Sequence, residues 1–201
     1  MITTPFPPPV ALVSHSDTPC AAVESIKSFL SWERSGVLVI SYLLEGALEQ
    51  LRIPPYQSPR RADDLWRHTC FEAFVGAKND AEYYEMNLSP SGEWAVYGFR
   101  DYRDGGPIEG NTLEPIVSVH REERALELRT KIHLDQLPGL QLDVCLWVGL
   151  AAVIEDNDGR LSYWALKHAP GKPDFHRPDN FILEIASPVA GADAIAYTAK
   201  P

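Results

Sequence analysis

About nine short apolar or alternating runs, separated by turn residues, predict an all-β sandwich or barrel. Three observations carry that reading. Prolines number 17 of 201 and are spread along the chain, which suits many short elements better than long helices. β-Branched and aromatic residues gather in runs of period two. Helical spacing has one candidate, Ile26, Phe29 and Leu30. That run ends at the short turn Arg34-Ser35-Gly36 and precedes a strongly β segment, so a hairpin is preferred.

The elements follow in order. Residues 26–34 form the first arm of that hairpin and residues 37–44 the second, closing at Gly46. Residues 48–53 come next, halted by Pro54-Pro55, and residues 54–66 are a loop rich in Pro, Arg and Asp. In the next strand Phe71, Ala73 and Val75 alternate with Cys70, Glu72 and Phe74. In the one after it Tyr84, Met86 and Leu88 alternate with Tyr83, Glu85 and Asn87. Residues of one parity share a face, so the first set of each strand faces a core, and Glu72, Glu85 and Asn87 face the other side together. Ser89-Pro90-Ser91-Gly92 is a turn, residues 94–99 a third strand, and residues 100–111 a Gly/Asp loop. Residues 126–134 alternate cleanly, and residues 142–154 are a long buried strand. Asp156-Asn157-Asp158-Gly159 is a hairpin turn from which residues 162–168 pair back. A loop over residues 169–180 precedes a last strand at 181–185. Residues 1–9 and 187–201, with little periodicity, are expected to be loosely ordered ends of a single domain.

Composition narrows the function classes. The net charge is −10 and the pI about 5.0, unsuited to binding nucleic acid, which needs clustered Lys and Arg. The longest apolar run, residues 144–154, is shorter than the ~20 residues a membrane helix requires. The N-terminus has neither a basic nor an apolar leader segment, and Cys20, Cys70 and Cys145 are isolated and odd in number. A cytoplasmic protein with buried free thiols, no metal and no cofactor is the expectation.

Within this frame the residues 65–74 (LWRHTCFEAF), 84–94 (YEMNLSPSGEW), 163–166 (YWAL) and 172–178 (KPDFHRP) carry a resemblance. Over residues 37–186 the chain resembles the DOMON-like proteins, a superfamily that includes the family 9 carbohydrate-binding modules. The resemblance implies an immunoglobulin-like or jelly-roll β-sandwich with a concave ligand-holding face, binding sugar in the carbohydrate modules and haem in the cytochrome members. It places Trp66, Glu72, Asn87, Trp94 and Trp164 around a ligand.

The residues themselves suit that chemistry. Sugar hydroxyls need fixed donors and acceptors, and a pyranose face needs flat aromatic platforms. Glu72, Glu85 and Asn87 supply polar atoms, and the three Trp lie beside them. Arg67 and Arg103 can bridge a carboxylate to a ligand oxygen. His168 and His176, in a Pro-fixed loop, can line one end of the cleft. The expectation is a non-catalytic binding module for a small-molecule carbohydrate.

The alternatives are a hydrolase using Glu72 and Glu85 as acid and base, a haem protein, and a partner-binding sandwich whose concave face is filled by its own side chains. Alternation puts Met86 on the core side, which disfavours it as a haem ligand. His168, Asp174 and His176 form a weak metal pattern beside a plain loop reading. Asp156-Asn157-Asp158-Gly159 lacks the length of a calcium loop. No nucleophile-elbow, dinucleotide or phosphate-loop motif is present.

Overall fold

The computed structural model describes residues 8–108, 113–187 and 197–199. Fourteen strands occur among them: β1 Val10–Ser14, β2 Val23–Arg34, β3 Val37–Gly46, β4 Arg60–Arg61, β5 Cys70–Ala77, β6 Tyr83–Leu88, β7 Glu93–Asp101, β8 Asp104–Pro107, β9 Ile116–Arg121, β10 Ala125–His133, β11 Leu146–Glu155, β12 Leu161–Ala165, β13 Leu183–Ile185 and β14 Tyr197–Ala199. Among the described residues helix is confined to single turns such as Leu48–Gln50 and Leu65–Arg67. No described helix is long and apolar enough to cross a membrane.

The strands form one curled sheet in the order β4-β7-β6-β5-β11-β12-β1-β2-β3-β10-β9, with β8 on β7, and with β13 pairing both β11 and β14. Strand β1 joins two arms. Its Val10, Ala11 and Leu12 pair with β2, and its Val13 and Ser14 pair with β12. The main apolar core draws on both arms: Ile26, Leu30, Ile40, Tyr42, Leu126 and Leu128 from one, Phe71, Val75, Met86, Leu88, Val148 and Ile154 from the other. Tyr42 of β3 reaches across it, its ring 5.1 Å from that of Phe71 and its hydroxyl donating to the Glu72 carbonyl at 2.7 Å.

Period-two alternation dictates this core. Phe71, Ala73 and Val75 of β5 and Tyr84, Met86 and Leu88 of β6 all lie in it. Because Met86 is fully buried there, it is not presented to the face that carries Glu72 and Glu85. The predicted turns form where the chemistry requires them. Gly36 has φ 81° and closes the β2–β3 hairpin, where a Cβ would sit 2.8 Å from that of Asp135. In the turn before β12, the Asp156 carboxylate accepts from the backbone N–H groups of Asp158 and Arg160, each at 2.9 Å, so it is spent on its own loop.

Several expectations change. The strands exceed nine because β1, β4, β8, β9 and β14 are short or carry weak patterns. Part of the expected 100–111 loop is ordered, with β7 running to Asp101 and turning back as β8; residues 109–111 lie outside the described residues. Residues 48–53 give a helical turn and a single bridge, Leu51 to Asp156. Strand β11 starts at Leu146, β12 stops at Ala165 and β13 starts at Leu183. Within the stretch expected to be loose, Tyr197–Ala199 pairs with β13; residues 1–7, 188–196, 200 and 201 lie outside the described residues. Only Cys70 of the three free thiols is buried, Cys20 and Cys145 being half-buried.

Candidate functional site

The face of β7-β6-β5-β11-β12 that carries Glu72 and Glu85 holds a cavity of about 750 Å³. Its floor follows from strand register. Glu72 of β5 pairs with Asn87 of β6 and Ala151 of β11, while Glu85 pairs with Phe74 of β5 and Tyr97 of β7. Glu72 and Glu85 therefore stand diagonally on adjacent strands of one face. Tyr97 and Phe99 of β7, Val153 of β11 and Tyr163 of β12 extend that face on either side.

The loop after β12 forms the opposite wall. Its Phe175 and the following Phe181 pack with Phe74, Tyr83, Ala151, Val153 and Ala165 in a second apolar cluster, and Phe181 stacks on Phe74 at 5.4 Å. Asp174 anchors the loop to the β7–β8 tip. It accepts from the Arg103 guanidinium at 2.8 Å, the Tyr102 hydroxyl at 2.6 Å and the His176 backbone N–H at 3.2 Å. Arg103 presents itself there from a left-handed conformation, φ 54°.

The two floor carboxyls differ in their partners. Glu85 Oε1 accepts from the Asn87 side-chain amide at 2.9 Å, and Oε2 lies 3.5 Å from His176 Nε2. The other His176 ring nitrogen is 2.9 Å from the Tyr83 hydroxyl, which itself accepts from the Arg103 backbone N–H at 3.2 Å. Glu72 is 3% exposed, and its carboxyl has no hydrogen-bond partner among the described residues, while its main-chain carbonyl also accepts from the Tyr42 hydroxyl.

Burial dominates the proton affinities. Desolvation, reinforced by the charge of Glu85 and opposed by Arg103, pushes Glu72 well above the usual carboxylate range. Desolvation raises Glu85 to about 7 against the opposing effects of its Asn87 hydrogen bond and Arg103. Desolvation and the nearby Arg103 lower His176 to about 4, so its imidazole is neutral at physiological pH.

The structure brings together five of the ten residues singled out from the sequence: Trp66, Glu72, Glu85, Arg103 and His176 all line the cavity. Trp66 is 45% exposed at the rim, on the turn Leu65–Arg67, with the Arg67 guanidinium over its ring at 5.0 Å. Arg67 itself pairs with Asp64 at 3.3 Å and faces a neighbouring hollow lined by Arg52, His68 and Glu155. Asn87 is fully buried behind Glu85 and holds it in place; its Oδ1 is unpartnered. His168 is also placed away from the cleft, its Nε2 against the Val13 carbonyl at 2.9 Å and its ring on His15.

Trp94 and Trp164 are corrections. Both belong to the main core, on the core-facing parity with Leu88 and Ser162. The residues their strands offer to the cleft are the neighbours of opposite parity, Tyr97, Phe99 and Tyr163. The alternation that assigned β5 and β6 contains this information, since Trp94 and Val96 share one parity and Tyr97 and Phe99 the other. Lys172 and Pro173 of the loop wall and Asp63 and Asp64 of the opposite rim have no comparable sequence signal.

His168 lies apart from Asp174 and His176, and no metal-binding cluster of three or more His, Cys, Asp or Glu occurs among the described residues. Arg60 and Arg61 do not form a basic patch, because they pair with Glu93 and Asp63.

No protein-family model matches the chain, and no curated protein matches it. Solved structures do. A proposed carbohydrate-binding protein from Bacteroides uniformis ATCC 8492 superposes with a TM-score of 0.61 at 16% identity, over 86% of this chain and 82% of that one. A family 9 carbohydrate-binding module from Caldicellulosiruptor kristjanssonii, solved in complex with cellotriose, gives a TM-score of 0.50 at 13% identity, over 82% of this chain and 74% of that one. At these identities the likeness is one of fold.

Proposed function

We propose that this chain is a non-catalytic carbohydrate-binding module of the DOMON-like, immunoglobulin-like or jelly-roll sandwich type, and that it holds its ligand in the concave cleft. The observation that carries the reading is the cleft floor. A desolvated carboxyl, Glu72, faces a cavity large enough for a small ligand, with no hydrogen-bond partner among the described residues. Leaving such a group unmade costs stability, and a ligand hydroxyl recovers it. Glu85, positioned by Asn87, supplies a second acceptor. Tyr97, Phe99, Tyr163 and Trp66 supply flat apolar surface, so polar and aromatic groups converge as sugar recognition requires. The resemblance in fold to two proteins described as carbohydrate-binding agrees with this, and the cellotriose complex of one nominates β-glucan oligosaccharides as first ligands.

Calorimetric titration with glucose, cellobiose and cellotriose tests the reading. Saturable binding is expected, weakened roughly tenfold or more in Glu72→Gln and in Tyr163→Ala, as loss of a buried hydrogen bond or a stacking surface implies. No release of nitrophenol from aryl glycosides is expected. Failure of a folded protein to bind any sugar in a broad panel would sink the reading.

A further inference from the structure

We propose that the cleft selects an amine-bearing sugar, an ammonium group seating between Glu72 and Glu85. The inference rests on the carbohydrate reading above and names the ligand class of that same site.

Charge bookkeeping around the floor points to a missing cation. Of the acidic groups that line the cavity, Asp63 pairs with Arg61 at 2.8 Å, Asp64 with Arg67 at 3.3 Å and Asp174 with Arg103 at 2.8 Å. Each rim carboxylate thus has its own guanidinium. Glu72 and Glu85 do not. Glu85 has one amide donor and a neutral imidazole, and Glu72 has no hydrogen-bond donor among the described residues. Lys172, the remaining lining cation, is an exposed residue of the covering loop rather than part of the floor. Arg103 acts on both floor carboxyls, but its guanidinium hydrogen bond goes to Asp174.

The surroundings favour a cation over a second neutral donor. Two carboxyls stand on one buried face beside Tyr97, Phe99 and Tyr163, and aromatic faces attract an ammonium group by their quadrupole. Burial raises the phenol proton affinities of Tyr97 and Tyr163, which stay neutral and add no charge that would compete. The buried Tyr42 phenol behind the floor and the buried Cys70 thiol beside Glu72 on its own face are likewise pushed up by burial and stay neutral. An ammonium group donates three hydrogen bonds and brings one positive charge, which suits a Glu72 that lacks a donor and a Glu85 that is half-satisfied. A neutral sugar hydroxyl supplies a donor but not the charge.

The test is a calorimetric comparison at pH 6.5 of glucosamine and its β-1,4-linked dimer with glucose, cellobiose and N-acetylglucosamine. The amine sugars are expected to bind about tenfold or more tightly than the neutral ones, equivalent to about 1.4 kcal/mol. In Glu72→Gln, checked for folding by circular dichroism, the ratio of the two affinities is expected to fall several-fold. A second measurement on the unaltered protein does not depend on that variant. Titration of glucosamine in buffers of different ionisation enthalpy should show proton release, because the ammonium charge ionises a floor carboxyl. Neutral sugars binding as tightly as amines, or an absence of proton release with glucosamine, overturns the amine inference and leaves the carbohydrate reading standing. Saturation by none of the five sugars overturns both.

Discussion

The two faces of the β5–β6 pair are buried equally and by opposite means. Every residue of both strands is buried. On one side Phe71, Ala73, Val75, Tyr84, Met86 and Leu88 meet the other arm of the sheet and lose water to apolar side chains. On the cleft side Phe74, Tyr83 and Glu85 meet the loop carrying Phe175 and His176, and the carboxyls of Glu72 and Glu85 lose water without full replacement. The first face stabilises the fold. The second stores unsatisfied polarity beside a cavity, which weakens the empty protein and prepares it for a ligand.

Large-to-small substitutions separate the faces most strongly. Phe71→Ala or Trp94→Ala removes a ring from the closed core between the arms, and urea unfolding should show a loss of about 3–5 kcal/mol. Phe74→Ala removes an equally buried ring from the cleft side. There the loop resting on it, through Phe181 and His176, is free to settle or the cavity to admit water, so about 2–3 kcal/mol is expected. Equal losses at Phe71 and Phe74 would erase the distinction.

Stability against pH sharpens it next. Glu85 has its affinity raised from 4.5 to about 7, so the folded state holds a proton there that the unfolded chain gives up, and stability falls as pH rises from 4.5 through 7. His176 is lowered from 6.5 to about 4, so the unfolded chain takes up a proton that the folded state refuses, and stability falls as pH drops from 6.5 through 4. These slopes oppose each other between pH 4.5 and 6.5, where the pair holds one proton. Glu85→Gln should unmask the histidine, with stability declining toward acid by roughly 2–3 kcal/mol across that window. His176→Gln should unmask the carboxyl, and stability should decline toward alkali instead. Denaturant midpoints at four or five pH values decide it; parallel profiles in both variants would break the assignment.

The same contrast explains what was legible in the sequence. Alternation placed six core residues on β5 and β6 and put Glu72, Glu85 and Asn87 on the opposite face. Gly36 marked the first hairpin because its turn requires positive φ. Both are local rules, and local rules are written in the chain. Which Trp meets the ligand was not settled by proximity to the motif, because a one-residue shift in parity moves a side chain to the other side of the sheet. Trp94 and Trp164 fell on the core parity, and Tyr97, Phe99 and Tyr163 on the cleft parity. The link between Asp174 and Arg103 spans 71 residues, so no spacing announces it. Short edge strands such as β4 and β8 owe their existence to neighbours rather than to their own propensity.

The smallest expected change in stability is the most discriminating for function. Trp66 sits on a single helical turn at the rim, nearly half exposed, and its contact with Arg67 is a surface cation–π stack. Such a contact is worth ~0.5–1 kcal/mol, and the chain order around it is set by Leu65 and the hydrogen bond from the His68 N–H to the Leu65 carbonyl. Trp66→Ala should therefore lower the unfolding free energy by no more than ~1 kcal/mol, well below Trp94→Ala. An exposed indole at the mouth of a polar-floored cavity has a different task, which is to cover one face of a ring whose polar edge points at Glu72 and Glu85. Sugar affinity measured by calorimetry should fall several-fold in Trp66→Ala while its thermal unfolding barely moves. The reverse pattern, a clear loss of stability with unchanged affinity, would make Trp66 a part of the scaffold and leave Tyr97, Phe99 and Tyr163 as the aromatic surface of the cleft.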